Sequence, residues 1–422
     1  MYPEKVEPQR KIFIIIVYNH TLNYLRTQEK MIKKTMRKIF IILTTAIIAA
    51  CGTKSPLQTA STIEGERITA TFNDTTTLYF KIIGENEVAL TWDNSDGKNY
   101  NSSTRYLHKG ELVIPSIVKA DNREFRVTSI DDYALYQQRQ LSIITLPDGI
   151  KQIGTKAFSG CDKAASINIP EGVTTLDEEA FSRCKRITDI TLPESIESIG
   201  NYCFRNCVSV HSVSLGKRIK IIPEGTFFGC ASLKEITLPD NIESIGTEAF
   251  SGCLSLKNIE LPATIDSLSD GVFAMCESLE TITLPDGIKT IPMDIFNRCG
   301  SLKEIKIPVG VKRIDSWAFE RCTSLANVSL NEELEEIGEG AFAGCTSLSI
   351  ISLPKSIKSI ESLAFGVCGA IKEIEILGNK AFDIAPDGAL PQKPARIYVT
   401  RGCIDQFQFK PVWKELLIIE KR

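Results

Sequence analysis

Thirteen cysteines carry the most nucleophilic side chains of this 422-residue chain. A thiolate can attack an electrophile, pair into a disulfide or bind zinc, and each use imposes its own spacing. Zinc sites are built from C-x-x-C or Cys/His clusters, and neither occurs here. Instead one cysteine returns every 23 residues: Cys161, Cys184, Cys207, Cys230, Cys253, Cys276, Cys299, Cys322, Cys345 and Cys368. Thiols at one equivalent place share the same neighbours above and below, so nothing selects partners for disulfides. They read as free, small, buried hydrophobes. The rest of the inventory is thin. His20 lies near the start, while His108 and His211 stand alone. Places equivalent to His211 hold Lys234, Lys257 and Glu280, the pattern of a solvated edge. The carboxylate pairs Glu178-Glu179 and Glu335-Glu336 fall on turns facing water, a poor setting for an acid/base couple. Ser159-Gly160-Cys161 and Ser251-Gly252-Cys253 lack the G-x-S-x-G of a nucleophile elbow. Neither a phosphate-binding loop nor H-E-x-x-H occurs. The expectation is therefore no enzyme, no catalytic residue, no metal and no cofactor.

The elements that position these thiols are repeats. Three residues before each cysteine stands a phenylalanine: Phe158, Phe181, Phe204, Phe227, Phe250, Phe273, Phe296, Phe319, Phe342 and Phe365. A fixed period of this size marks a solenoid, in which each unit buries its apolar side only by stacking on neighbours. In the unit from Cys230, Leu233, Ile236 and Leu238 supply apolar contacts, with Ile236 and Leu238 alternating as in a half-buried strand. Pro239 stops that strand. Ile242 and Ile245 suit a second short extended segment, and Gly246 turns the chain. Glu248-Ala249-Phe250 reads as one helical or 3₁₀ turn that carries Phe250 into the core. A buried phenylalanine removes roughly 150–250 Å² from water. At ~25 cal/mol per Å² that is several kcal/mol per repeat before entropy.

If Ile and Leu of each strand point inward, their neighbours face the concave surface in two lanes. One holds Thr145, Asn168, Thr191, Ser214, Thr237, Glu260, Thr283, Lys306 and Ser329; the other includes Asp189, Glu235, Asn258, Thr281 and Glu304. Both are polar, rich in hydroxyls and free of Trp and Tyr. They form the candidate binding face, a surface for many weak polar contacts rather than a sugar-stacking platform. Thr and Ser also simply suit exposed strand positions.

The ends differ. Met36 opens a basic segment with Arg37 and Lys38, followed by the apolar run Ile39 to Ile48 and Ala49-Ala50-Cys51. This has the layout of a secretory signal over 36–50 and is too short for a membrane-spanning helix, which takes about 20 residues. Translation is expected to begin at Met31 or Met36, leaving 1–35 as a mis-assigned extension. Residues 51–65 read as a Thr/Ser-rich tether. Residues 66–126 read as a β-rich N-terminal cap, 127–378 as the repeats and 379–422 as a small C-terminal cap. The first 50 residues carry nine Lys/Arg and three Asp/Glu, so the remainder has a net charge near −9 against −3 for the whole. No basic patch appears in the repeats, which argues against nucleic acid.

The repeat L-x-x-I-x-L-P-x-x-I-x-x-I-g-x-x-A-F-x-x-C resembles the BspA-like, or Treponema pallidum-type, leucine-rich repeat, over about Val127 to Gly378. Gly216 and Asn331 replace its proline, Cys203 replaces its alanine, and the register breaks after Ile376-Leu377-Gly378. Ile397-Tyr398-Val399-Thr400-Arg401-Gly402 and Val412-Trp413-Lys414 resemble the family's C-terminal cap. The resemblance implies a leucine-rich-repeat solenoid, mainly parallel β with short helical or 3₁₀ turns. Ile48-Ala49-Ala50-Cys51-Gly52 resembles a bacterial lipobox, which implies lipidation at Cys51 and an outer-membrane lipoprotein at the cell surface. The implied function is adhesin-like binding of protein partners, including host matrix protein, host receptor or another microbe, with no small-molecule substrate. Two alternatives stay open: a structural or assembly module of an envelope complex, and a glycan-utilisation accessory protein.

Overall fold

The computed structural model describes residues 56–92, 108–391, 396–410 and 412–421. Cys51, the signal segment and the upstream extension lie outside the described residues.

Each 23-residue unit makes one coil with two short strands. On the front, Asp189–Thr191, Ser212–Ser214 and Glu235–Thr237 pair in parallel, each residue opposite the one 23 further on: Ser212 faces Glu235 and Val213 faces Ile236. The central residue of each is buried and its neighbours face solvent, the period of two that the sequence carries. On the back, Ser244–Ile245 joins Ile221–Ile222 and Ser267–Leu268 in the same way. Between front and back, the Pro239 carbonyl accepts the Ile242 N–H at 3.2 Å, so the proline that ends one strand also sets the turn to the next.

The expected helical turn before each phenylalanine is something else. Ala249, Ser251 and Cys253 donate N–H to carbonyls three residues back, at 3.2, 3.0 and 3.1 Å. Glu248, Phe250 and Gly252 instead donate to Asp270, Val272 and Ala274 of the next coil, at 3.0, 2.9 and 2.8 Å. Glu248 at φ 53° and Gly252 at φ 72° cannot belong to a right-handed helix. The segment is a run of turns stacked coil on coil. A helix would keep all its N–H groups at home; here half of them bind the coils together.

Inside, the phenylalanines form one spine. Neighbouring rings from Phe158 to Phe365 lie 5.1–5.8 Å apart at 4–25° to each other.

At the N-terminal end, strands β1 (Gln58–Glu64), β2 (Arg67–Phe72), β3 (Thr76–Gly84) and β4 (Glu87–Thr91) form an antiparallel meander. The β2–β3 turn is built on Asn73 and Asp74, both at positive φ, as a tight hairpin requires. After β5 (Lys109–Val113) and β6 (Ile117–Ala120), strand β7 (Arg123–Ile130) pairs with β4 and also with Gln152–Ile153, the first back strand of the coils. The cap thus continues the back sheet and covers its apolar end. Strand β5 does the same for the front sheet through β8 (Gln140–Thr145).

Two segments differ from their sequence reading. Much of the expected tether is strand β1, in register with β2 from Ala60 to Glu64, and Ile63 packs on the core. The Gln58 side chain also binds the β6 backbone, taking the Lys119 N–H at 2.8 Å and donating to its carbonyl at 2.5 Å. After Gly378 the coils continue rather than end. Asp383 pairs with Ser359, 24 residues earlier, so the break in register is one extra residue. Arg396–Val399 and Ile418–Glu420 extend the front sheet. Buried Trp413 closes this end, edge-on to Phe382 at 5.1 Å and Phe407 at 5.0 Å, with its Nε1–H donated to the Phe382 carbonyl at 3.0 Å.

Candidate binding face and the thiol ladder

The front strands set out both lanes. Thr191, Ser214, Thr237, Glu260, Thr283, Lys306, Ser329 and Asn168 are exposed, and Thr145 is half-buried. Asp189, Glu235, Asn258, Thr281 and Glu304 of the second lane are exposed as well. Strand pairing makes rows of them: Asp189 beside Ser212 beside Glu235, Thr191 beside Ser214 beside Thr237, Asn258 beside Thr281, Lys306 beside Ser329. Ser212 Oγ donates to Asp189 Oδ1 at 2.5 Å. Asn168 is committed to the fold: its Oδ1 takes the Leu146 N–H at 2.8 Å and its Nδ2 donates to the Leu146 carbonyl at 3.2 Å. Further along, Ser352 Oγ and Lys421 Nζ both reach Glu375, and these bonds hold its carboxyl below the usual range.

The cysteines carry a role that spacing alone does not announce. Each thiol of the series after Cys161 donates to the carbonyl of the phenylalanine one coil back: Cys184 to Phe158 at 3.3 Å, Cys276 to Phe250 at 3.3 Å, Cys368 to Phe342 at 3.0 Å. Cys161 finds the Leu135 carbonyl in the same way at 3.3 Å. The Phe250 carbonyl also accepts the N–H of its own Cys253, so two coils meet on one oxygen. Cysteine is the small apolar side chain that still has a weak donor to offer. Burial pushes the Cys161, Cys207 and Cys276 thiols up to about 12, far from a reactive thiolate.

Three of the four paired carboxylates are taken up in ion pairs. Glu335 meets Lys358 at 2.5 Å, Glu336 meets Arg313, and Glu179 meets Lys156 at 3.1 Å. His211 is exposed beside its strand. His108 lies in the cap, and burial lowers its pKa. Among the described residues no group of three His, Cys, Asp or Glu is placed to hold a metal ion.

Parallel two-strand coils with a phenylalanine spine and an exposed polar strand face define a leucine-rich-repeat solenoid, a scaffold that typically serves protein interaction. The BspA type leucine rich repeat region matches in six copies over residues 128–253, 197–325 and 289–382, and the chain belongs to that family. Proteins with repeats of this type are usually at the surface or secreted. A crystal structure of a leucine-rich repeat protein from Bacteroides ovatus is similar in fold, with a TM-score of 0.54 and 23% identity over 82% of this chain and 98% of the other. The pneumococcal vaccine antigen PcpA is similar with a TM-score of 0.52 and 20% identity, over 86% and 99%. No curated protein matches the sequence. Among the described residues no helix is long and apolar enough to cross a membrane.

Proposed function

We propose that the chain is an exported bacterial lipoprotein, anchored through Cys51 in the outer membrane, that binds protein partners at the cell surface through the front strands of its coils. The observation that carries this reading is the pair of solvent-facing polar lanes, from Asp189 and Thr191 to Glu304 and Lys306, on coils of 23 residues whose front strands pair in register within three short ladders. Such a face offers many modest contacts at fixed intervals to an extended protein surface, in the manner of other solenoids. Their backbone is already held rigid, so little ordering entropy opposes binding. A host matrix protein, host receptor or another microbe's surface protein fits this description.

The test has two arms. The chain with Cys51→Ser is used as bait against host matrix and surface proteins, beside a variant carrying Thr237→Lys and Thr281→Lys. The bait should retain a partner that the variant loses at least tenfold, with unchanged circular dichroism. A partner held equally by both removes the front face from the proposal. In the second arm, intact cells are treated with protease. Protection equal to that of a periplasmic marker rules out surface display.

A further inference from the structure

The side of the coils that carries the stacked turns has a charge pattern of its own. Its back border, the three places after each back strand, holds Asp177, Glu178, Glu224, Glu248, Asp270 and Asp294. No Lys or Arg occupies those places from 177 to 317. Its front border, between the spine phenylalanine and the next front strand, holds Arg183, Arg186, Arg205, Lys234, Lys257 and Arg298. The acids of that border are Glu277, Glu280 and Glu320, and the last two are already matched, by Lys303 at 2.7 Å and Arg321 at 3.5 Å. Among the described residues, Glu178, Glu248, Arg183, Lys234, Lys257 and Arg298 take part in no ion pair. One coil thus presents acid at one border and base at the other: Glu178 with Arg186, Glu248 with Lys257, Asp294 with Arg298. On the same side Val208, Leu254, Met275 and Met293 are 37–42% exposed. Arg205 is held there between the Tyr202 and Phe228 rings, 5.3 Å from each centroid.

We propose that this turn side docks on a second copy of the chain, with the two coil stacks parallel. Two copies meeting face to face are related by a two-fold axis along the stack or by one across it. The axis along the stack sets each acidic border against the second copy's basic border, coil against the same coil. Glu248 then meets the second copy's Lys257, and Lys257 meets its Glu248. The axis across the stack sets acid on acid and base on base, so charge selects the parallel pair. The exposed apolar side chains fall within the contact, apolar surface enclosed by a charged rim. The front strands stay uncovered, and both N-terminal caps lie at one end. The pairing does not rest on the protein-binding reading, and either can fail alone.

Sedimentation equilibrium of the Cys51→Ser chain should show a dimer in about 50 mM salt. It should weaken at least tenfold in about 1 M salt, where the Debye length falls to about 3 Å. Glu248→Lys with Asp294→Lys should weaken pairing at least tenfold, and so should Lys257→Glu with Arg298→Glu. Mixed in equal amounts, these two double variants should pair with each other as the unaltered chain does. Orientation is read by mild oxidation of Asn206→Cys and Met275→Cys, each in a Cys403→Ser background. In the parallel pair both positions cross-link to their own counterparts, whereas the crossed axis brings at most one of them to its counterpart. If a double variant fails to fold, the salt dependence and the cross-links carry the test. A monomer at low salt, a dimer indifferent to charge reversal, no recovery in the mixture of folded variants, or fewer than two self-linked positions overturns the proposal.

Discussion

A buried thiol behaves differently from a methyl group in one measurable way, its titration. The unfolded chain ionises its cysteines near 9.0, whereas burial holds Cys161, Cys207 and Cys276 near 12 in the fold. Below pH 9 both states are protonated, and the full stabilisation is present. Between 9 and 12 only the unfolded state loses protons, so stability falls as pH rises. Each such thiol contributes up to about 1.4 kcal/mol per pH unit in that window. Urea midpoints at pH 8.5, 9.5 and 10.5 should therefore drop steeply. Replacing Cys230, Cys253 and Cys276 by Ala should lower stability at pH 8.5 and flatten the slope above pH 9; an unchanged slope would mean the thiols are not buried in the protonated form. A second prediction concerns the place two residues before the spine phenylalanine. Trp317 there lies flat on Gly340 of the next coil, and a Cβ on Gly340 would meet the Trp317 ring at 2.1 Å. Tyr202 covers Gly225 in the same way. Conformation alone does not demand glycine, because Glu248 at φ 53° and Leu363 at φ 58° hold the equivalent place. Gly340→Ala should thus cost about 1–3 kcal/mol by overpacking. In a Trp317→Ala background most of that cost should vanish, as a double-mutant cycle by denaturant melts would reveal.

Among the elements, the strands were the legible part of the sequence. Ile236 and Leu238 alternate, Pro239 stops the ladder, and the 23-residue return supplies the pairing partner. The stacked turns were not legible, because the bonds from Glu248, Phe250 and Gly252 lead to the next coil and leave no local signal. Strand β1 was hidden for a similar reason: Gln58–Glu64 is mostly polar, and only β2 and Lys119 make it a strand. The lanes of the front face, by contrast, followed directly once strand direction was known, although the engagement of Asn168 with Leu146 did not. The Gln58 contact makes a prediction at this scale. Gln58→Ala removes both bonds to Lys119 and should raise amide hydrogen exchange in β1 at least tenfold. Exchange in β7, which is paired on both sides, should stay as it was; equal loosening of both would mean that β1 and β7 open as one unit.

For the whole molecule, the 23-residue period makes a demand of its own. Each coil packs chiefly on its neighbours, with Arg313 reaching two coils along to Glu361 at 3.2 Å, so stability is close to a sum of units and interfaces, and register rather than length is what the fold must keep. The 24-residue step between Ser359 and Asp383 indicates that the turns tolerate one extra residue. Deleting one complete unit, Ala231–Cys253, should bring Phe227 against Phe273 and rejoin Val213 to Ile259 across the gap. The product should fold cooperatively, with the far-UV spectrum per residue unchanged and a denaturant m-value reduced in proportion to the lost surface. Deleting half a coil, Leu238–Ala249, removes the back strand but keeps Phe250, so the spine residue arrives with no coil to place it. That variant should aggregate or lose cooperativity. If both deletions behave alike, the coils are not interchangeable, and long-range contacts beyond nearest neighbours hold the array. If the full-unit deletion folds as expected, it also gives a measure of binding. A partner spread along the front lanes should lose affinity in a graded way, whereas one seated on a few coils should be either untouched or lost.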